Sequence, residues 1–211
     1  MNFKSFFARK LYSRITIPFG LICLMLLFVF PVKNSLAADI KTNLSQCSDI
    51  AKLAGHNFVV EKAEIVPAGP IPGPGGNGDK LPEHCLIQGM LNPRTGVKGQ
   101  KFGIGFELRM PANWNKRFFF QGGGGLDGVL SPATGSHMGA IKPSALARGF
   151  AVVSTDGGHR SSMLDGTFGL DQQARIDYGY NALDKVTLKA KELIEKYYGA
   201  APTYSYFVGC S

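Results

Sequence analysis

Apolar positions recur along this chain with two periods. Residues 102–109 alternate, with Phe102, Ile104, Phe106 and Leu108 set between Gly103, Gly105, Glu107 and Arg109, the period of a strand with one apolar face. Residues 85–91 form another strand-like run. Asn92-Pro93-Arg94-Thr95-Gly96 between the two is turn chemistry, which predicts an antiparallel pair. Short apolar runs follow at residues 117–121, 150–155 and 204–208. The first two are of the kind buried on both sheet faces. Between Asp177 and Tyr198 the period lengthens: Leu183, Val186, Ala190, Leu193 and Tyr197 lie three and four apart, predicting a helix that Gly199 stops, with Pro202 beyond. Residues 143–148 predict a short helix ending at Gly149. Strand, helix, strand, helix, strand is the order of a parallel α/β sheet with crossover helices. Ahead of it, residues 47–53 read as helical, and residues 58–60 and 63–66 as extended. Residues 69–82, rich in Gly and Pro, read as a surface loop.

The first residues follow neither period. Lys4, Arg9, Lys10 and Arg14 precede an apolar run over residues 15–32, and the small residues Ser35-Leu36-Ala37-Ala38 follow. That order predicts a secretory signal peptide over residues 1–38, cleaved after Ala37 or Ala38. The rival is an uncleaved anchor, since the run approaches spanning length. Cys23 inside the run reads as an ordinary apolar residue. Removing this segment changes the charge: the whole chain carries 23 basic and 15 acidic residues, net +8, but residues 39–211 carry 18 against 15, net +3. Nucleic acid therefore falls away as a partner, and stable membrane association is not expected once the leader is gone. A secreted or periplasmic location follows. There Cys47 with Cys85 would close the N-terminal region, leaving Cys210 free or paired outside this sequence.

Candidate chemistry sits where each α/β strand ends, the usual place in a parallel sheet. The first runs into Gln121-Gly122-Gly123-Gly124-Gly125-Leu126-Asp127-Gly128. Its bare N–H groups suit an oxyanion hole, against the bland reading of a flexible loop tip. Gly123, Gly125 and Gly128 also match G-x-G-x-x-G, but no long helix pattern follows, so a dinucleotide loop is disfavoured. The second ends at Thr155-Asp156-Gly157-Gly158-His159, an incomplete metal set in which Asp156 and His159 are expected to hold neighbouring loops by hydrogen bonds. The third ends at Gly209-Cys210-Ser211, the first half of a G-x-S-x-G nucleophile elbow. The bland reading of that serine is any serine at a chain end.

Taken together, these blocks resemble the tannase and feruloyl esterase family of α/β-hydrolases. The resemblance runs from about Cys47 to Ser211 and is carried by residues 101–109, Asn113-Trp114-Asn115, residues 117–128, residues 147–159 and Phe207-Val208-Gly209-Cys210-Ser211. It implies an α/β fold with a mostly parallel sheet after antiparallel N-terminal strands. Residues 39–211 would be the N-terminal part of a catalytic domain, truncated before its second half and its lid domain. It implies carboxylic ester hydrolysis of gallate or hydroxycinnamate type, with a small aromatic ester as partner. Ser211 would be the nucleophile, Gly123, Gly124 or Gly125 the oxyanion donor, and Cys210 half of a disulfide to a cysteine beside the catalytic histidine. It implies no cofactor for hydrolysis and a calcium site only in the lid. The family's Asp and His follow the serine, whereas His56, His84, His137 and His159 all precede Ser211 and none is expected to act as base. The fragment itself is therefore expected to be inactive. The alternatives are an exported interaction module or remnant, and a serine peptidase on the same fold.

Overall fold

The computed structural model describes residues 47–70, 80–136 and 140–209. The signal segment, His137, Cys210 and Ser211 lie outside the described residues.

The strands are β1 (Phe58–Val66), β2 (Gly69–Pro70), β3 (Lys80–Leu81), β4 (His84–Thr95), β5 (Lys101–Pro111), β6 (Arg117–Gln121), β7 (Ala151–Thr155) and β8 (Tyr204–Val208). Six form one sheet in the order β1-β4-β5-β7-β6-β8. The pairings from β1 to β7 are antiparallel, including the expected β4–β5 pair, and β7, β6 and β8 run parallel. The two extended segments expected at residues 58–60 and 63–66 are one strand, with a register shift between Val60 and Lys62. Part of the expected 69–82 loop is a small ladder, Gly69 opposite Leu81 and Pro70 opposite Lys80. Cys47 and Cys85 form the expected disulfide, tying the 3₁₀ turn Ser48–Leu53 to β4 across a separation of 38 residues. Closing a loop of that length contributes about 2–4 kcal/mol.

One helical run covers one face of the sheet. It opens as α1 (Gln172–Ile176), widens into a single π turn (Asp177–Asn181) and continues as α2 (Ala182–Tyr198). Asp171 caps its start by accepting the Ala174 N–H at 2.9 Å. Gly199 stops it with φ +69°. The helix therefore begins earlier than the apolar spacing indicates. Its buried stripe is Ala182, Val186, Ala190, Leu193, Ile194 and Tyr197, while Leu183, expected inside, is exposed. The stripe packs on Ile104, Phe106, Leu108, Phe118, Phe120 and Val153. Each fully buried side chain of Leu or Phe size contributes about 1.5–3 kcal/mol.

The opposite face is covered by the connection between β6 and β7, whose Ala133, Ala145 and Leu146 pack on Phe119 and Val152. No helix forms at residues 143–148. The segment makes one bond of helical spacing, Arg148 N–H to the Ser144 carbonyl, and then closes in turns as the Gly149 and Phe150 N–H groups go back to Leu146 and Ala145. The Ala145 and Leu146 N–H groups tie it to Gly135 and Thr134. β8 lies at the sheet edge with Tyr204, Tyr206 and Phe207 exposed. Among the described residues no helix is long and apolar enough to cross a membrane.

Candidate active site

The β6–β7 connection leaves over one sheet face and the β7–β8 connection over the other. Neighbouring strands whose connections part in this way leave a crevice beyond their carboxyl ends. The glycine loop after β6 and the Asp156–His159 segment after β7 flank that crevice. The end of β8 joins them, because the Gly122 N–H donates to the Val208 carbonyl at 2.7 Å. A side chain on Gly122 would meet the Cα of Gly209 at 2.9 Å, so glycine is what allows the two strand ends to touch.

Within the loop, hydrogen bonding sorts the candidate donors. A turn closes from the Asp127 N–H to the Gly124 carbonyl at 3.2 Å. Its second residue, Gly125, has φ +60°, which a side chain would strain. The Leu126 N–H donates to Met163 and the Gly128 N–H to Asp156, at 3.0 and 2.9 Å. The Asp127 carboxyl is pushed above its usual range by burial, and the nearby Gly124 N–H pulls the other way. Among the described residues the N–H groups of Gly123 and Gly125 meet no acceptor. Of the three glycines put forward from the sequence, Gly124 has the Asp127 carboxylate near its N–H, and Gly123 and Gly125 remain available to a ligand. No helix follows Gly128, so the loop lacks the helix N-terminus that a dinucleotide phosphate uses.

The Asp156–His159 segment is structural, by two different means. Asp156 is fully buried, and its Oδ1 accepts the N–H groups of Gly105 and Gly158, both at 2.9 Å. It joins β5 to the loop after β7 as expected. His159 does not hold its neighbours by hydrogen bonds: both ring nitrogens are buried and unpaired, and the ring stacks on Phe168 at 3.7 Å. Burial pushes its pKa down, so it stays neutral. It is an aromatic platform under the loop, stacked on Phe168.

Asp156 also gives the fold a pH dependence. Its Oδ2 is buried without a hydrogen bond, and Arg160 Nε stands 3.7 Å away. Burial pushes its pKa up from 3.8 to about 7, against the opposing pull of the two N–H groups and Arg160. The folded state therefore holds this proton more tightly than the unfolded chain, and stability falls as pH rises from about 4 to 7. Asp171 works in the opposite sense: the Arg94 side chain, at 2.6 and 3.1 Å, holds it below the usual carboxylate range, so its contribution is lost only on acidification below that window. Asp156→Asn is expected to flatten the melting profile between about pH 4 and pH 7. An unaltered slope would remove Asp156 as its cause.

Behind the loop lies a buried polar network that the alternating pattern hides. Glu107 accepts from Arg109 Nε at 2.7 Å, Gln88 Nε2 at 2.8 Å and the Ala133 N–H at 2.9 Å. Arg109 Nη1 donates to His84 Nε2 at 2.9 Å. Ser154 Oγ donates to the Ser131 carbonyl at 2.6 Å, and Gln121 bonds Pro132 and Gly135. Together they anchor residues 131–135, the stretch leaving the glycine loop. His84 lies at the far end of the sheet, opposite Pro111, and burial lowers its pKa. It is out of reach of the strand ends. The described residues contain no group of three or more His, Cys, Asp or Glu side chains able to hold a metal ion.

Comparison with known proteins bears on this arrangement. A family model described as tannase and feruloyl esterase matches residues 86–211. The mono(2-hydroxyethyl) terephthalate hydrolase of Piscinibacter sakaiensis is 51% identical over 138 residues, 62% of this chain and 23% of that protein. The probable feruloyl esterase B-2 of Aspergillus flavus is 33% identical over 105 residues, 50% of this chain and 19% of that protein. Among solved structures, feruloyl esterase B from Aspergillus oryzae superimposes with a TM-score of 0.63 at 28% identity, covering 80% of this chain and 32% of that one. The chain thus spans about a quarter of the length of the curated relatives it matches.

Proposed function

Because the chain belongs to the tannase and feruloyl esterase family, we propose that it supplies the nucleophile and the oxyanion loop of a serine carboxylic ester hydrolase acting on aromatic esters. The observation that carries this reading is the contact between the glycine loop and the end of β8. The Gly122–Val208 hydrogen bond holds the strand leading into Gly209-Cys210-Ser211 beside a loop with two unoccupied N–H groups. In this mechanism Ser211 Oγ attacks the ester carbonyl carbon. The carbonyl oxygen takes up the negative charge and is stabilised by N–H groups of the loop. The alcohol leaves with a proton, and water then releases the acid from the acyl-enzyme. This reading takes the base from outside the described residues: His84 stands at the far end of the sheet, and His159 is buried against Phe168.

Preference for an aromatic acyl group is supported by the relatives, one named for a terephthalate ester and one for feruloyl esters. Export is supported by the leader pattern and by the Cys47–Cys85 disulfide, a bond that persists in oxidising compartments. The test is a panel of feruloyl, galloyl and terephthaloyl esters beside peptides, with the full-length protein treated in parallel with a fluorophosphonate. Hydrolysis of aromatic esters with phosphonylation of Ser211 is expected. Peptide cleavage without ester turnover, or labelling at another residue, would overturn the reading.

A further inference from the structure

The helical run over the sheet is interrupted by one π turn at Asp177–Asn181. Such turns shift the side chains they carry off the helical register and gather at functional sites. Two side chains of this turn reach the strand ends. Asp177 is buried beneath Gly158, where an added Cβ would meet its Cβ at 2.7 Å. It accepts from Gln173 Nε2 and Asn181 Nδ2 at 2.9 and 3.0 Å, which ties the turn to the preceding segment and closes it on its own last residue. Tyr178 lies tilted against Phe168 at 5.1 Å and edge-on to His159 at 6.0 Å. From there its hydroxyl donates to the Gly125 carbonyl at 2.8 Å.

Which peptide receives that bond decides its effect. The Gly125 carbonyl and the Leu126 N–H belong to one planar unit. The oxygen is held by Tyr178, and the N–H donates to the Met163 carbonyl at 3.0 Å. A trans peptide held at both polar edges cannot rotate. The preceding unit carries the Gly124 carbonyl, engaged by the Asp127 N–H, and on its opposite edge the Gly125 N–H. The freedom left between the two units is the φ and ψ of Gly125, a residue with no side chain to limit them. The Tyr178 hydrogen bond takes up that freedom. Without it, the unit is held only by the Leu126 N–H to Met163 bond and can tilt about that edge, drawing the neighbouring N–H out of line.

We infer that Tyr178 is a positioning residue for ester hydrolysis: by holding the Gly125 carbonyl it keeps the Gly125 N–H aimed at the oxyanion. The inference rests on the proposed reading of the loop as the oxyanion donor. Tyr178 itself touches no reacting atom.

The test is Tyr178→Phe in the full-length protein, assayed on an aromatic ester beside Ser211→Ala. Phenylalanine keeps the ring against Phe168 and His159 and removes only the hydroxyl. Loss of a whole oxyanion donor costs about 10²–10³ in kcat, so a donor left in place but loosened is expected to cost about tenfold. KM is expected to stay within about twofold, since the donor acts on charge that develops after binding. The melting temperature is expected to hold within about 3 °C, the effect of one half-exposed hydrogen bond. A kcat loss of about threefold or more with KM and melting temperature so held supports the inference, because a merely structural tyrosine does not separate kcat from KM. A smaller loss, or a loss matched by a rise in KM or a larger drop in melting temperature, overturns it. Gly125→Ala provides a second measurement. The added Cβ is strained at φ +60° and meets Met163 Cγ at 3.0 Å, so kcat is expected to fall further than in Tyr178→Phe, again with KM held. An unchanged kcat there places the donor elsewhere and also overturns the inference. If Ser211→Ala remains active, the proposed function fails. If Ser211→Ala is inactive and Tyr178→Phe is fully active, only the role of Tyr178 fails.

Discussion

Ser211→Ala in the full-length protein is expected to lower kcat for an aromatic ester by about 10³–10⁶-fold. The breadth of that range has a physical source. An acyl transfer that cannot form its covalent intermediate keeps only what oxyanion donors and binding contribute, and that remainder is itself about 10³–10⁴ over water. In the proposed reading the donors are backbone amides of Gly123 and Gly125, which substitution at position 211 does not remove. Binding therefore persists, and KM is expected to change little while kcat collapses. The measurement is a progress curve with a chromogenic feruloyl or terephthaloyl ester at saturating substrate, after confirming an unchanged melting temperature. A loss smaller than about tenfold would place the nucleophile elsewhere and leave the glycine loop without a partner serine.

Glu107→Ala is expected to destabilise the fold by about 3–5 kcal/mol, more than any other single polar substitution considered above. Glu107 and Arg109 are both buried, and Glu107 alone satisfies Arg109 Nε, Gln88 Nε2 and the Ala133 N–H. Truncation leaves a guanidinium with no carboxylate beside it, where its charge is poorly solvated. It also removes the Ala133 anchor from residues 131–135, leaving those of Ser154 and Gln121 to support the glycine loop. Chemical denaturation monitored by fluorescence measures the loss. The double replacement of Glu107 and Arg109 by apolar residues is expected to cost less than the sum of the single changes, because it removes the stranded charge along with its partner. A loss within about 1 kcal/mol for Glu107→Ala would mean that water reaches Arg109 and does the carboxylate's work.

Much of the fold was legible because local patterns agree with it. The β4–β5 pair follows from alternation and turn chemistry at residues 92–96, and β6 and β7 from short apolar runs flanked by glycine. The α2 stop follows from Gly199. The segment predicted as a helix at residues 143–148 is a set of turns instead. One bond of helical spacing forms, from Arg148 to Ser144, before the Gly149 and Phe150 N–H groups turn the chain back, and a run this short shows no such difference to a propensity argument. Leu183 failed as a core residue for a related reason: the π turn just before α2 sets which face of the helix meets the sheet. Nothing in Asp177-Tyr178-Gly179-Tyr180-Asn181 announces an inserted turn.

The candidate site divides in the same way. Residue types and order alone singled out the glycine loop, Asp156, His159 and Ser211, since four consecutive glycines and a serine after an apolar strand have few uses. They also pointed to the Cys47–Cys85 bond, because few pairings are open to so few cysteines. Tertiary structure alone decided which loop amides are free, since Gly122, Leu126 and Gly128 each donate to a backbone carbonyl, Gly124 has the Asp127 carboxylate nearby, and Gly123 and Gly125 meet no acceptor among the described residues. It also reversed the plain reading of Glu107 and Arg109, whose period-two spacing suits a solvent-facing edge of β5. A sequence records which side chains alternate but not what will cover each face of the sheet. Here the β6–β7 connection folds back over that face, and burial turns its charges from surface decoration into the anchor of the active loop.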